Sequence, residues 1–433
     1  MSQLSTQWAE KIPAGVGTGP AWLENLRSSA AEQFRAHGLP NRKDEAWKYT
    51  GLRMLDKSGV QLATEIDSPV PGSFNPGPLV DFDLTVNMLD GQFLEQIGDL
   101  PAGMTLLPMA DALQRNVPGL KDLLGSLDLS RSKKASGDGF SALNSAMLRH
   151  GLLIHVATDV DAGRFCINWA TRACENPLLF NSRICVIVEQ GAKLELLEQF
   201  ESLNDNANSS NIVFQAKVSE GGSLTHIRFQ DEDDSAAVFT RTEVSQFADS
   251  EYTYIGFDLG GGLVRHDLHS DLLGPGARAN LNGAYLLDGQ RHVDNHARVD
   301  HKAPGGISTQ YFRGVAGGEG RAVFNTAVCV HPGADGTEAR QSNGNILLSE
   351  RAVVNTKPEL EIYADEVVAS HGATVGQLDE QAVFYMQTRG LSETEARQIL
   401  TAAFCRSVSD KLSDPVLGEV IAERMMAVMP HAG

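Results

Sequence analysis

The chain has 433 residues, of which 42% are hydrophobic and 21% are charged, a composition typical of a globular protein with several structural regions. Its formal net charge of −19 at pH 7 would repel phosphate backbones and anionic lipid, so nucleic-acid and membrane partners are disfavoured. The first residues lack the pattern of a signal peptide, and no apolar run approaches the roughly 18 residues of a membrane span, so a cytoplasmic protein is expected.

The first region, residues 1–150, is predicted to be helical or mixed. Within AWLENLRSSAAEQFRAHGLP, helical spacing relates Trp22, Leu23, Leu26, Ala30 and Phe34. Gly38 and Pro40 then end the helix. The next segment, NRKDEAWKYT, carries two aromatic residues that either anchor a loop on the core, the commoner arrangement, or form an exposed docking segment. The polar stretch RSKKASGDG near Asp138 is predicted to be a loop.

The second region, residues 151–372, is predicted to be rich in β-strands. Apolar and polar residues alternate in GAKLELLEQF, GSLTHIRFQ, EYTYIGFDLG, GARANLNGAYLLDG, GRAVFNTAVCV and NILLSERAVVNT. These runs start roughly 20 to 30 residues apart, which is the scale of one solenoid coil. A β-sandwich would also give alternating strands, but the irregular spacing and the lack of two-residue hairpin loops favour a solenoid.

The third region, residues 373–433, is predicted to be helical. Asp379 is expected to cap EQAVFYMQTR, and Gly390 to end that helix. Ser392 and Glu395 form a capping box at the start of the next helix, and Asp414 with Pro415 starts the last one. The apolar stripe predicted for this region consists of Ala396, Leu400, Ala403, Phe404 and Leu412.

Several sequence motifs for catalysis are missing from the chain. It contains no G-x-x-x-x-G-K-[ST], no G-x-S-x-G and no H-E-x-x-H, so we expect no nucleotide hydrolysis by this chain. Gly260 to Gly262 form a cluster that is typical of a turn between strands. The five cysteines include no C-x-x-C pair and indicate free thiols in a reducing compartment; they are Cys166, Cys174, Cys185, Cys329 and Cys405.

The histidines cluster more than the other candidate ligands. In RHVDNHARVDH, the residues His292, Asp294 and His296 would share one face of a strand, where they either bind Fe²⁺ or Zn²⁺ or form a polar outer stripe. The neighbouring RHDLHSD supplies three similar groups; they are His266, His269 and Asp271. Cys329 and His331 lie at another strand end, where a buried apolar cysteine is the commoner arrangement.

His371 lies where the β-rich region meets the helical one, in SHGATVGQLDEQAVFYMQTRGL. It is either a ligand or a polar residue that caps the last coil.

Long segments of the chain resemble the SufB/SufD family, the subunits of the Suf iron–sulfur cluster assembly machinery. The resemblance covers about residues 38–397 and is carried by NRKDEAWKYT, HVDNHARVDHKAPGGISTQYFRGV, VCVHPGADGTEARQSNGNILLSE and KPELEIYADEVVASHGATVGQLDEQAVFYMQTRGL. The first and last of these segments are more similar to the SufD than to the SufB branch.

The resemblance implies a right-handed parallel β-helix flanked by helical regions. It also implies a non-catalytic subunit that pairs with SufB through the end of the β-helix and binds the ATPase SufC through its C-terminal helices. The family histidine falls on His371, which would hold iron or a nascent cluster transiently, shared with SufB. Some members have a cysteine two residues earlier, where this chain has Ala369. A flavin is expected only in the assembled complex.

Two other functions remain open at this point. Some β-helix proteins cleave polysaccharides with clustered carboxylates, for which Asp267, Asp271 and Asp294 are candidates. The low aromatic content of 6% argues against a sugar-binding groove. The chain could also be a structural solenoid that associates with itself as a homodimer.

Overall fold

The structure is a computed structural model that describes residues 2–13, 19–64, 77–115, 117–129, 138–172, 176–203 and 208–430. Its helices are α1 (Gln3–Lys11), α2 (Ala21–His37), α3 (Arg53–Ser58), α4 (Met109–Gln114), α5 (Leu120–Gly125), α6 (Gly139–Ala146), α7 (Glu380–Thr388), α8 (Glu393–Ser409) and α9 (Pro415–Ala427). Its strands are β1 (Gln61–Leu62), β2 (Leu84–Leu89), β3 (Gln92–Ile97), β4 (Met104–Pro108), β5 (Gly151–Val156), β6 (Asp161–Thr171), β7 (Leu178–Val188), β8 (Lys193–Ser202), β9 (Ser209–Val218), β10 (Ser223–Asp231), β11 (Ala237–Gln246), β12 (Glu251–Asp258), β13 (Leu263–Leu272), β14 (Arg278–Leu287), β15 (His292–His301), β16 (Ile307–Ala316), β17 (Arg321–Val330), β18 (Glu338–Leu347), β19 (Val353–Ile362) and β20 (Val368–Gly376).

The strands form two long sheets. Sheet I runs in the order β19-β17-β15-β13-β11-β9-β7-β5-β4, with β1 beside β7, and sheet II runs β20-β18-β16-β14-β12-β10-β8-β6-β2-β3. From β5 onward the chain alternates between the sheets, and each strand pairs in parallel with the strand two places later. The molecule is therefore a parallel β-solenoid with two strands per coil, which confirms the predicted mainly β fold and excludes the β-sandwich.

The coils are regular enough to stack equivalent residues. Residues paired between β13 and β15, or between β15 and β17, are 29 positions apart in the chain, close to the predicted repeat. Val264, Val293 and Ala322 stack in one inward row and are buried in the core that fills the solenoid. The alternate residues of the same strands point outward, so each strand presents one apolar and one more polar row.

The N-terminal helices cover the outer face of sheet I over its earlier coils. Helix α2 forms where predicted, buries Leu23, Ala30 and Phe34, and ends at Gly38, which has a positive φ of 69°. A short 3-10 turn then carries Trp47, which is buried and stacks on Phe140 with the ring centres 5.7 Å apart. This aromatic residue therefore anchors its loop on the core, the first of the two predicted alternatives.

The C-terminal helices cover the outer face of sheet II. The predicted caps are present: the side chains of Asp379, Ser392 and Asp414 each accept a hydrogen bond from a backbone N–H in the first turn of their helices. The capping box between Ser392 and Glu395 is also formed.

The predicted stripe of α8 is confirmed except at one position. Ala396 and Leu412 are buried, and Leu400 and Phe404 pack partly buried against the same core. Ala403 is exposed, and the core instead contains Cys405 and Val408. Among the described residues, no helix is both long and apolar enough to span a bilayer.

One strand prediction is wrong, and one turn prediction is confirmed. The run NILLSERAVVNT is not one strand, because β18 ends at Leu347 and β19 begins at Val353. The glycine cluster is a turn, as predicted: it joins β12 to β13, and a Cβ on Gly260 would lie 2.3 Å from the carbonyl oxygen of Glu232. Most of RSKKASGDG lies outside the described residues, as does Cys174, while the other four cysteines are free and buried.

Candidate functional site

The last coil of the solenoid leaves both sheets open at one end. Within the described residues, β19 and β20 are the terminal strands of their sheets, and no residue of β20 is buried. Large apolar side chains are exposed here on or between the two strands; they are Val353, Ile362, Tyr363, Val368 and Val375. A terminal strand with exposed apolar residues presents unpaired backbone groups that another strand can complete.

His371 lies on β20 and is exposed. It is in register with Gln341 of β18, which is in turn in register with Gln310 of β16, so the histidine continues an inward column of polar side chains. The Nε2 of Gln341 donates to the Oγ1 of Thr326 at 3.1 Å, while its buried Oε1 has no hydrogen-bond partner among the described residues. His371 is thus the last polar group of this column, and its role as a ligand stays a prediction.

Ala369 occupies the same inward row two residues before His371, in register with Ala339. It packs partly buried against the solenoid core. The chain therefore supplies an imidazole but no thiol to this row of β20.

His292, Asp294 and His296 lie together on the outer face of β15, as their spacing predicts. The Nη1 of Arg265 donates to the Oδ2 of Asp294 at 2.5 Å, and the hydroxyl of Thr50 donates to the same oxygen. Burial alone would raise the pKa of Asp294, but the charge of Arg265 and hydrogen bonds from His296 and Thr50 hold it well below its ordinary value. The carboxylate is thus already paired with the guanidinium of Arg265, and cation binding by His292, Asp294 and His296 stays a prediction.

The N-terminal segment closes over this group. The ring of Trp47 lies 4.4 Å from the guanidinium of Arg265, whose Nη1 also donates to the carbonyl oxygen of Ala46 at 2.7 Å. The Oγ1 of Thr50 is 2.9 Å from the Nε2 of His292. Burial, opposed by the charge of Asp294, lowers the pKa of His292. These contacts give the segment NRKDEAWKYT a structural role in fixing the first region to the solenoid.

A second outer group centres on Asp300, which sequence patterns did not single out. Its Oδ2 lies 2.6 Å from the Nε2 of His269, and its Oδ1 lies 2.9 Å from the Nε2 of His331. Cys329 is buried beside it, in register with Asp300 on the next coil. Burial and the nearby charge of Asp300 raise the pKa of the Cys329 thiol to about 11. The cysteine therefore faces this polar group from the outer side of its strand, and the expectation of apolar surroundings for it is wrong.

The carboxylates considered for polysaccharide cleavage form ion pairs. Arg265 donates to Asp267 at 2.7 Å as well as to Asp294, and Lys302 lies 2.8 Å from Asp271. Each of these three carboxylates is therefore paired with a cationic side chain on the outer face of sheet I.

Helix α7, which follows β20 in the chain, carries exposed aromatic side chains. Phe384 and Tyr385 are 67% and 58% exposed, and they share a surface with Glu380, Gln381 and Thr388. This helix therefore exposes two large aromatic side chains to solvent.

Comparison with known proteins adds a family to these features. Residues 170–404 match the family model of the SufBD core domain of the SUF system for FeS cluster assembly. The chain is 27% identical over 431 residues to the iron–sulfur cluster assembly protein SufD of Escherichia coli, covering 99% of this chain and 97% of that protein. It is 28% identical over 408 residues to a SufBD family protein of Synechocystis, covering 92% and 89%, and 27% identical over 426 residues to one of Mycobacterium tuberculosis, covering 95% of each.

Proposed function

Because this chain belongs to the SufBD family of iron–sulfur cluster assembly proteins, we propose that it acts as a SufD-type subunit of an assembly scaffold. In this proposal it pairs with a SufB-type solenoid through its open end and binds a SufC-type ATPase through its C-terminal helices. ATP hydrolysis belongs to the ATPase, and this chain catalyses no reaction of its own. Iron and the nascent cluster are cargo of the complex, and any flavin belongs to the assembled complex.

The open end is the observation that carries the proposal. Terminal strands with exposed apolar side chains are liabilities in an isolated protein, and a second solenoid that extends the sheets would cover them. His371 would then lie at the junction of two solenoids, on the inward row. An imidazole is a borderline ligand that suits iron, and one protein ligand alone allows the cargo to exchange.

His371→Ala in the assembled complex tests the ligand role. We expect the complex to form normally while cluster assembly in cells falls at least about 10-fold, the scale of a lost metal contact. His37→Ala is the matched control, because His37 is also exposed but lies at the end of α2, in the first region. Full cluster assembly by an intact His371→Ala complex would contradict the ligand role and leave the pairing proposal standing.

The patch on α7 is the surface we propose for the ATPase. A double substitution Phe384→Ser and Tyr385→Ser should abolish co-purification of the ATPase while the paralogous solenoid is retained. The control is Val416→Ser on α9, an exposed apolar residue outside this patch. Retention of the ATPase by the double variant would show that it binds elsewhere on the chain.

A further inference from the structure

The outer group around Asp300 forms a ladder of candidate ligands. Asp271, Asp300, Cys329 and Glu361 occupy the same register position on β13, β15, β17 and β19. Adjacent strands are about 4.8 Å apart, so each of these side chains lies directly beside the next. The ladder runs along sheet I toward the open end and lies on a different sheet from His371.

One part of this ladder has the geometry of a metal site. His331 follows β17 directly and returns to Asp300. The candidate ligand atoms of Asp300, Cys329 and His331 all lie within 4.8 Å of one another. Bonds of about 2.0 to 2.3 Å in a tetrahedral site place the ligand atoms about 3.3 to 3.8 Å apart, so small side-chain rotations would close these three around one ion.

We propose that Asp300, Cys329 and His331 bind one thiophilic divalent cation of the Fe²⁺, Co²⁺ and Zn²⁺ class. A thiolate, an imidazole and a carboxylate together favour these ions over Mg²⁺ and Ca²⁺, which select oxygen ligands. Water or the carboxylate of Glu361, the next residue of the ladder, completes the coordination. His331 is 37% exposed in its side chain and gives the ion a path from solvent to the buried cysteine.

A supporting shell holds Asp300 in place. The Nε2 of His269 contacts Asp300 at 2.6 Å, and the Nδ1 of the same ring contacts the Oε2 of Glu243 at 2.9 Å. A chain of carboxylate, imidazole and carboxylate fixes the orientation of the ligand oxygen, as outer partners do in metal sites. A simple surface ion pair needs only two residues, whereas three residues are held together here.

Arg298 competes with the cation. Its guanidinium donates to both oxygens of Asp300, at 2.7 and 2.8 Å, and it also lies 3.7 Å from Glu361. The arginine side chain is 36% exposed, so it can leave Asp300 and remain paired with Glu361 when an ion enters. An ion that enters this site must therefore displace Arg298 from Asp300.

Titration of the isolated, reduced full chain with Co²⁺ tests the proposal without any partner protein. We expect one equivalent to produce a thiolate-to-cobalt charge-transfer band, which Zn²⁺ then removes by displacement. Cys329→Ser should abolish the band, and His331→Gln should weaken binding at least about 10-fold. Arg298→Ala should strengthen binding, because it removes the competing cation.

Three controls separate this site from other thiols and histidines. His155→Gln changes a histidine on the outer face that also contacts one carboxylate, Glu189 at 3.2 Å, and should leave the band unchanged. Cys174→Ser should also leave it unchanged. A circular dichroism spectrum checks that each variant is folded. Absence of the band in the native chain, its survival in Cys329→Ser, or its loss in Cys174→Ser would each overturn the proposal. Because the titration needs no partner, its failure would leave the proposed scaffold function untouched.

Discussion

The two ends of the solenoid are completed in opposite ways. At the first end, β4 and β3 run antiparallel to β5 and β2 and finish the two sheets, and five of the six residues of β5 are buried. At the last end, β19 and β20 finish the sheets with no such cover among the described residues, and β20 has no buried residue. The difference teaches that the first end is covered by its own strands, whereas the last end leaves its terminal strands uncovered, as the proposed pairing requires.

We expect the largest effect on stability at the first end of the solenoid, which we call the packed end. Phe165 of β6 is fully buried in the solenoid core, so Phe165→Ala should lower the free energy of unfolding by about 3 to 5 kcal/mol. Leu360→Ala on β19 removes a side chain that is only partly buried and should cost about 1 kcal/mol. Urea unfolding of both variants measures the contrast. Equal losses would mean that the two ends are packed alike.

The next effect concerns the hairpin that finishes sheet II. Asp90, between β2 and β3, has a φ of 49° and is buried; it accepts hydrogen bonds from the backbone N–H of Arg172 at 3.0 Å and from Asn208 at 3.1 Å. Asp90→Ala leaves these donors unpaired and should cost about 2 to 3 kcal/mol.

In Asp90→Asn the asparagine keeps one side-chain acceptor and tolerates this backbone conformation. This variant should therefore lose less than half as much free energy of unfolding. The counterpart at the open end is Glu366, an exposed residue with a φ of 54° in the turn between β19 and β20. Glu366→Ala should change stability by no more than about 0.5 kcal/mol. A comparable loss at both turns would contradict the contrast between the ends.

The sequence predicts the solenoid and its helices well because these depend on local patterns. Alternation locates the strands, and cap residues such as Ser392 and Asp414 locate helix starts. On α8 only Ala403 was placed on the wrong face, because contact with sheet II buries Cys405 and Val408 instead. Asp300 was missed as a centre because, apart from Arg298 on its own strand, its partners His269 and His331 come from neighbouring coils. Groups within one strand, such as the one around Asp294, were visible in the sequence. The contacts of Asp294 with Arg265 and Thr50 were not visible, because these residues come from other segments.

The free energy of unfolding should also depend on pH through a histidine at the packed end. Burial, with a smaller contribution from the charge of Arg149, lowers the pKa of His150 to about 4. The unfolded chain binds a proton near pH 6.5 and the folded chain only near pH 4, so this stabilisation is present above pH 6.5 and is lost as the pH falls toward 4. For this half-buried histidine we expect a loss of about 1 to 2 kcal/mol.

His150→Gln should flatten this part of the stability profile in urea unfolding measured between pH 4 and pH 7. Arg149→Gln is the control, and it should flatten the profile only slightly, because burial is the larger cause. If the native chain and His150→Gln lost stability in parallel, the histidine would not be the group that titrates.

The smallest effect on stability should come from substitutions at the open end. These substitutions distinguish a loss of partner binding from a loss of folding. Val368 and Ile362 are 61% and 45% exposed, so the double substitution to serine should change the free energy of unfolding by less than about 0.5 kcal/mol. The same change should strongly reduce co-purification of the SufB-type solenoid, because the apolar side chains would become buried only when a partner strand arrives.

Ile97→Ser is the matched control, since Ile97 is a 55% exposed residue on β3, the terminal strand of sheet II at the other end. Loss of the partner in the double variant but not in Ile97→Ser would establish that pairing is specific to the open end. Equal behaviour of the two variants would place the partner elsewhere, and light scattering would then show whether the open end instead joins two copies of this chain.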